Sequence, residues 1–437
     1  MSYRLLKNIK QIVQVASDDR EYYVVENNQH IVVKFSESKT ADLVIVIENA
    51  TGNISAIGEE STVFQMYPEM TFSDVIDCKE GCVLPGFVDA HTHPVWAGDR
   101  VHEFADKLNG ASYADIHKSG GGINFTVRHT KSADPDDLYE SFVRRIRSMV
   151  KKGSTTIECK SGYGLDYETE LRMLQLLTRG KRELPLDLSI TYLAAHAVPA
   201  GMTSEQATND IIDNQLPRLK QEIDSGKLLI DNVDVFCEKD IYDVRQTEAI
   251  LRAGADLGLE MNFHADELTN QGGAELAGRL GARAASHLEE ASPHGVALMA
   301  QGKTAAVLLP TTALICKLRP PSATAMIQAG VAVALGSDFN PNAYCCSMPL
   351  VMFLACTTFG MSLEQALVGA TLNSAYSLKL SHRLGAITVG RQADLLICNC
   401  AKWEHLIYQL GETEELIEMV LKKGKVIFRR QDQFFAF

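Results

Sequence analysis

Apolar and polar positions change rhythm twice along the chain. Through the first 80 residues, apolar positions fall in short runs rich in β-branched side chains, "HIVVKF", "ADLVIVIENATGNISAIGEE" and "FSDVIDC", punctuated by Gly, Asn and Thr. That texture predicts short strands and turns with almost no helix, and the opening "MSYRLLKNIKQIVQV" is expected to supply the first strand. From residue 82, apolar runs of strand length alternate with longer amphipathic stretches. Eight runs qualify: "CVLPGFVDAH", "TTIECKSG", "LDLSITYLAAHAVP", "DNVDVFCEKD", "LEMNFHADE", "AASHLEE", "TAAVLLPTT" and "VAVALGSDFNP". Between most of them lie helix-like segments such as "DPDDLYESFVRRIRSMVKKG" and "YETELRMLQLLTRGKREL". After residue 384 the texture returns to β. "GAITVGRQADLLICN" predicts two short strands around a Gly turn, and "MVLKKGKVIFRR" a hairpin about Lys-Gly.

Strand–helix alternation repeated eight times predicts an α/β chain whose parallel strands close into a (β/α)8 TIM barrel. Such a barrel takes about 250 residues. The chain has 437, so a second module is expected. The economical arrangement brings the two β-rich ends together. Residues 1–84 and 385–437 would build one small composite β-sandwich domain, and residues 85–384 the barrel. An open doubly wound sheet is the alternative, but the Gly-rich phosphate fingerprint that often accompanies one is missing.

Charge and cysteine usage narrow the range of functions. A net charge of −13 disfavours nucleic acid and anionic membranes as partners and leaves a small-molecule substrate. No apolar run reaches the roughly 18 residues of a membrane span. The start has no signal-peptide h-region and no small-residue cleavage site. None of the ten cysteines forms a CxxC pair, and several sit inside apolar runs. Buried, reduced thiols in a cytoplasmic protein are therefore expected.

Unusual chemistry collects at one end of the predicted strands. The first finishes in His91 and His93. The second runs into Glu158, Lys160 and Tyr163, the third into His196, and the fourth into Glu238. The fifth ends in His264 and Glu267, the sixth in His287 and the eighth in Asp338. The C-terminal strand ends of a β/α barrel ring one mouth, so residues far apart in sequence would converge there. Positions i and i+2 on a strand face the same side, which sends His91 and His93 into that mouth together. A lone His-x-His is usually a surface or core pair. Here three strand ends agree: three imidazoles and the carboxylate of Asp338 make a ligand set for zinc or a comparable transition metal, with one position left for water.

At "VLPGFVDAHTHP" the sequence resembles the amidohydrolase superfamily, metal-dependent hydrolases on a distorted (β/α)8 barrel. The likeness covers nearly the whole chain. The flanking β segments resemble that family's composite sandwich, and "GAITVGRQADLLI" is similar to its usual re-entry into it. "HPVWAGDRVHEF", "SGGGINFTV", "ECKSGYGLD", "NFHADEL", "SHLEE" and "LGSDFNP" narrow the resemblance to the branch that opens an imidazolone ring in histidine degradation. "NAYCC" resembles its animal-type members rather than bacterial ones.

The resemblance implies hydrolysis of the ring C–N bond of 4-imidazolone-5-propanoate to N-formimidoyl-L-glutamate by a metal-activated water. It implies one divalent or trivalent transition metal ion per subunit, zinc or iron, on His91, His93, His264 and Asp338. Two-metal relatives generally carry a bridging lysine on the fourth strand. This strand ends in Cys237 and Glu238, so a single metal is expected. Asp338 would also move a proton from water toward the leaving nitrogen. His287 is expected to donate to the developing oxyanion rather than to ligate. Glu267 would orient the ring or shuttle a proton; the bland alternative is an acid at a helix entry. Arg100, in "WAGDR", matches the family's substrate-binding arginine and suits a carboxylate tail. Tyr163, His196, Asn340 and Asn342 complete the expected substrate contacts, with Asn342 and Ala343 departing from the residues common in bacterial members. The superfamily tends to dimerise, which makes a homodimer the assembly the resemblance suggests. Two other readings compete: a single-metal nucleobase deaminase, which has no use for a tail-gripping arginine, and a non-catalytic scaffold, which typically loses ligand histidines.

Overall fold

The computed structural model describes residues 2–26, 29–38, 40–110 and 120–430 of the chain. The N-terminal runs form β1 (Ser2–Ile9), β2 (Gln11–Val15), β3 (Val32–Phe35), β4 (Leu43–Glu48), β5 (Ile54–Glu59), β6 (Thr71–Asp77) and β7 (Cys82–Pro85). The barrel strands are β8 (Phe87–Asp89), β9 (Ser154–Lys160), β10 (Asp187–Ala195), β11 (Asn232–Cys237), β12 (Glu260–Ala265), β13 (Ala284–His287), β14 (Ala305–Leu308) and β15 (Val333–Leu335). The chain then returns to β16 (Leu395–Cys398), β17 (Ile417–Lys422) and β18 (Lys425–Arg429).

Strands β8 to β15 pair in sequence order, all parallel, as one eight-stranded sheet. Its two edges meet just beyond the strands. Ala90 N donates to Leu335 O at 3.4 Å, Asp338 N to His91 O at 2.9 Å, and His93 N to Phe339 O at 2.9 Å. The crossover helices follow the predicted amphipathic stretches. Asp134 caps the helix Pro135–Lys151 and Asp166 caps Tyr167–Glu183, each accepting from a first-turn N–H.

The termini build two sheets. Strands β5-β4-β1-β6 make one, and β18-β17-β16-β7-β2-β3 make the other, so only the second is composite. Their facing apolar side chains interdigitate: Leu6, Ile45 and Ile76 from the first meet Val83, Leu395 and Met419 from the second.

Three sequence expectations need correction. The run "CVLPGFVDAH" is two strands rather than one. β7 pairs with β16 and β2 in the composite sheet, whereas β8 pairs with β9 in the barrel. Gly86 joins them where a Cβ would lie 2.4 Å from the Thr155 side chain. Both halves are buried, so hydropathy shows no seam. The stretch "GAITVGRQADLLICN" yields one strand, β16, instead of two. Its first half is held by separate bonds, Ile387 N to Gln14 O at 3.0 Å and Thr388 Oγ1 to Ala16 O at 2.8 Å. A helix, Glu60–Met66, also stands where none was expected. It buries only Val63, too little to leave a helical rhythm.

A buried ion cluster joins sandwich to barrel. Lys422 Nζ, at the end of β17, lies 2.5 Å from Asp394 Oδ2 and 2.8 Å from Asp187 Oδ2 at the start of β10. Burial pushes the Asp187 carboxyl up, but Lys422 and Arg383 outweigh it and hold it below its usual value. A depressed carboxyl contributes stability above its unfolded pKa of about 3.9 and loses it as pH falls through the folded value. Lys422→Met leaves buried Asp394 and half-buried Asp187 without the cation they share and is expected to cost about 3 kcal/mol. Thermal melting at neutral pH should show the loss. The gap to the parent protein should narrow once the pH drops below about 4.

Candidate metal centre and the cleft around it

The strand ends converge as the sequence suggests. His91 and His93 follow β8, His264 lies in β12, His287 ends β13, and Asp338 follows β15. One nitrogen each from His91, His93 and His264 lies within 4.8 Å of the others; among the described residues this is the one group of three or more such side chains able to hold an ion. His91 Nε2 and His93 Nε2 are 3.3 Å apart. Asp338 Oδ1 accepts no hydrogen bond and lies 3.4 Å from His93 Nε2 and 3.6 Å from His91 Nε2. Its Oδ2 accepts from Thr312 Oγ1 at 2.5 Å. Asp338 and His287 sit at φ +47° and +75°, in the left-handed region. Non-glycine residues there cost about 1–3 kcal/mol each, and the bends turn both side chains at the strand tips.

The groups behind the histidines explain why their nitrogens point together. His264 Nδ1–H donates to Asp234 Oδ1 at 3.0 Å, and His91 Nδ1 pairs with Ser286 Oγ at 2.9 Å. Both rings therefore turn Nε2 toward His93. Burial, reinforced by the charge of Lys160, holds His91 and His264 well below the usual imidazole range. Burial takes His93, His196 and His287 down to about 3. Neutral imidazoles keep their lone pairs. Lone pairs crowded into one dry space beside an unpartnered carboxylate oxygen repel one another unless a cation sits between them, so the residues fit a metal ion.

Every other predicted site residue lines one cleft with His93, His264 and Asp338. His196 stacks on His93, ring centres 4.9 Å apart and planes 14° apart, and its Nδ1 bonds Gly162 O at 2.9 Å. Tyr163 lies 5.9 Å from the His93 ring. Glu267 Oε2 is 3.6 Å from His287 Nε2. Burial pushes the Glu267 carboxyl well above its usual range, with Glu289 and Asp338 adding to it. Glu267 is thus no helix cap; it is an acid facing the cleft. Asn340 spends its polar atoms on its own loop: Oδ1 accepts from Asn342 N at 2.7 Å and Ala343 N at 3.0 Å, and Nδ2 donates to Asp338 O at 2.7 Å. Arg100 is buried against Glu103 at 2.7 Å. Glu238 stays out of the cleft, accepting from Leu268 N at 2.8 Å and Thr269 N at 3.2 Å behind Glu267. Ser119, which opens the phrase "SGGGINFTV", lies outside the described residues.

Sequence reasoning passed over Asp234, Ser286, Thr312, Glu103 and Glu289. Asp234 left a signal: a carboxylate in the middle of the buried run "VDVFC" needs a partner. Glu103 follows Arg100 at helical spacing. Ser286 and Thr312 left none.

Comparison with known proteins adds to this geometry. Residues 82–427 match the model of the amidohydrolase family. The chain is 51% identical over 428 residues to the probable imidazolonepropionase of Xenopus tropicalis, spanning 98% of each chain. It is 49% identical over 425 residues to that of Homo sapiens, spanning 97% of this chain and 98% of the human one. Among solved structures, an adenosine deaminase from Xanthomonas campestris with bound zinc matches with a TM-score of 0.69 at 16% identity, over 97% of this chain and 92% of that one. A guanine deaminase from C. acetobutylicum matches with a TM-score of 0.67 at 14% identity, over 98% and 100%. At such identities the likeness to the deaminases is one of fold.

Asp234→Ala removes the acceptor that orients His264. It should weaken metal binding by about 10–100-fold, read by competition with a chromogenic chelator.

Proposed function

The chain belongs to the amidohydrolase family, and on that premise we propose that it hydrolyses the ring C–N bond of 4-imidazolone-5-propanoate to N-formimidoyl-L-glutamate, with one zinc or iron ion held by His91, His93, His264 and Asp338. What carries the choice of reaction is half-identity over nearly the full length to relatives named for it. A buried arginine in the same cleft as the histidines agrees with it. Family members tend to dimerise, and ten unpaired thiols suit a reducing cytoplasm.

A zinc or iron ion held by His91, His93, His264 and Asp338 would supply Lewis acidity, lowering the pKa of a water to about 7 in favourable sites and polarising a carbonyl. The side chains account for the rest. Asp338 Oδ1, free of hydrogen bonds while Oδ2 is fixed by Thr312, can take a proton from water and return it to the ring nitrogen as the C–N bond breaks. His287 Nε2 faces the cleft beside Glu267, placed to donate to the oxygen that gains charge at the attacked carbon. Burial raises the Glu267 carboxyl well above its usual range, and in its protonated form it would donate a hydrogen bond to the ring. His196 and Tyr163 flank the imidazole side of the cleft, and their rings are 5.3 Å apart. Arg100 and Asn342 stand at the end left for the propanoate tail. Asn340 holds that loop in shape.

Anaerobic addition of freshly made imidazolone propanoate to the purified protein should bleach its ultraviolet absorbance. Arg100→Met should lower kcat/KM by roughly 10–100-fold. Ammonia release from a purine or pyrimidine, with an undiminished Arg100→Met variant, would instead select the deaminase reading. Stripping the metal with a chelator should abolish turnover and lower the melting temperature, and adding back zinc or iron should restore both.

A further inference from the structure

Arg100 contributes little net charge to the cleft. Its Nε and Nη2 both donate to Glu103 Oε2, at 2.8 and 2.7 Å, and Glu103 Oε1 accepts from Gly122 N at 2.8 Å. The two side chains are 2% and 3% exposed. From the cleft, this pair is close to neutral. Arg100 can still offer directional N–H groups, but its charge is already answered.

Lys107 lies on the face of the helix Val101–Leu108 that carries Glu103, and only these two of its residues are buried. Lys107 is 7% exposed. Among the described residues its side chain has one hydrogen-bond partner, Asn342 Oδ1, the same oxygen that Arg100 Nη2 approaches at 3.5 Å. Asn342 lines the cleft, and its Nδ2 reaches Sγ of Cys316, which lines it too, at 3.5 Å. Glu103, the buried acid on the same helix, is held by Arg100. Lys317 adds further positive charge, its Nζ 3.4 Å from Lys107 O. Among the described residues no carboxylate bonds this ammonium, which stands a single amide group behind the cleft wall. Burial pulls its pKa below the ordinary lysine value, which marks the cost of leaving it without an anion. A ligand carboxylate would relieve that cost; a neutral tail would not.

We propose that Lys107 is the specificity-determining positive charge for an anionic substrate tail, acting as a positioning residue through the Asn342 amide while Arg100 is tied to Glu103. The identity of the ring rests on the hydrolase reading above. The charge argument holds for any ligand whose tail is a carboxylate.

The test uses metal-loaded protein and two unreactive ring-saturated analogues of the substrate, one with a propanoate tail and one with a propanamide tail. Calorimetric titration of the parent protein should favour the propanoate. In Lys107→Met and Lys107→Gln, propanoate binding should weaken roughly 10–100-fold, while propanamide binding changes less than about 2-fold. Lys107→Arg should recover most of the preference. In turnover, both neutral variants should raise KM far more than they lower kcat. Equal weakening of both analogues would mean that Lys107 only shapes the Asn342 loop, and an unchanged preference would remove it from recognition; either result overturns the proposal. Melting curves of both neutral variants separate misfolding from lost recognition. A parent protein that prefers the propanoate yet leaves imidazolone propanoate intact would sink the substrate assignment and leave the role of Lys107 standing.

Discussion

One buried ammonium ties the centre together. Lys160 Nζ lies 2.8 Å from Glu158 Oε1 and 2.8 Å from Asp234 Oδ2, and all three side chains are fully buried. Burying a lysine costs several kcal/mol, offset here only because two carboxylates share the charge. Each of those carboxylates holds a ligand segment with its other oxygen. Glu158 Oε2 accepts from Thr92 N, between the two histidines after β8, at 3.1 Å. Asp234 Oδ1 accepts both the backbone N–H and the ring Nδ1–H of His264. The electrostatic demand of one lysine thus fixes the spacing of three imidazoles from two distant strands. The same charge lowers the basicity of His91 and His264, so the network that places them also keeps their nitrogens free to ligate.

Much of this was legible in the chain. The eight apolar runs all supply barrel strands, because a parallel strand buried on both faces is a continuous apolar stretch that hydropathy detects easily. The same property hid the seam at Gly86, where β7 and β8 belong to different sheets yet are equally buried. The polar residues at the strand ends stood out because nothing in an apolar run accounts for them. Their partners were harder to see. Asp234 needed the strand's inward parity, and Ser286 and Thr312 are ordinary hydroxyls whose importance comes only from what packs beside them. That Arg100 is tied to Glu103 is a matter of rotamers, which helical spacing permits without deciding.

Strand tips and loops divide the labour. The candidate ligands and the acids facing them sit on barrel strands or within four residues beyond them, where closing hydrogen bonds such as Asp338 N to His91 O leave little freedom. Residues for the far end of the cleft come from the segment after β8 and the loop around Asn342, which meet through side chains. Reactive groups need fixed geometry, whereas recognition of a tail tolerates adjustment, and this division supplies each.

The split at Gly86 sets an order of events during synthesis. β7 pairs with β16, more than three hundred residues downstream, and two residues past β8 comes His91. A ribosome delivers the N-terminal strands first, so Cys82–Pro85 must wait with an open edge until the C-terminal strands emerge. The stretch that anchors the first histidines is therefore among the last to be locked, and a nascent chain stalled before residue 395 would expose the open edge of a wholly apolar strand, paired on its other side with β2 alone, to chaperones or to aggregation.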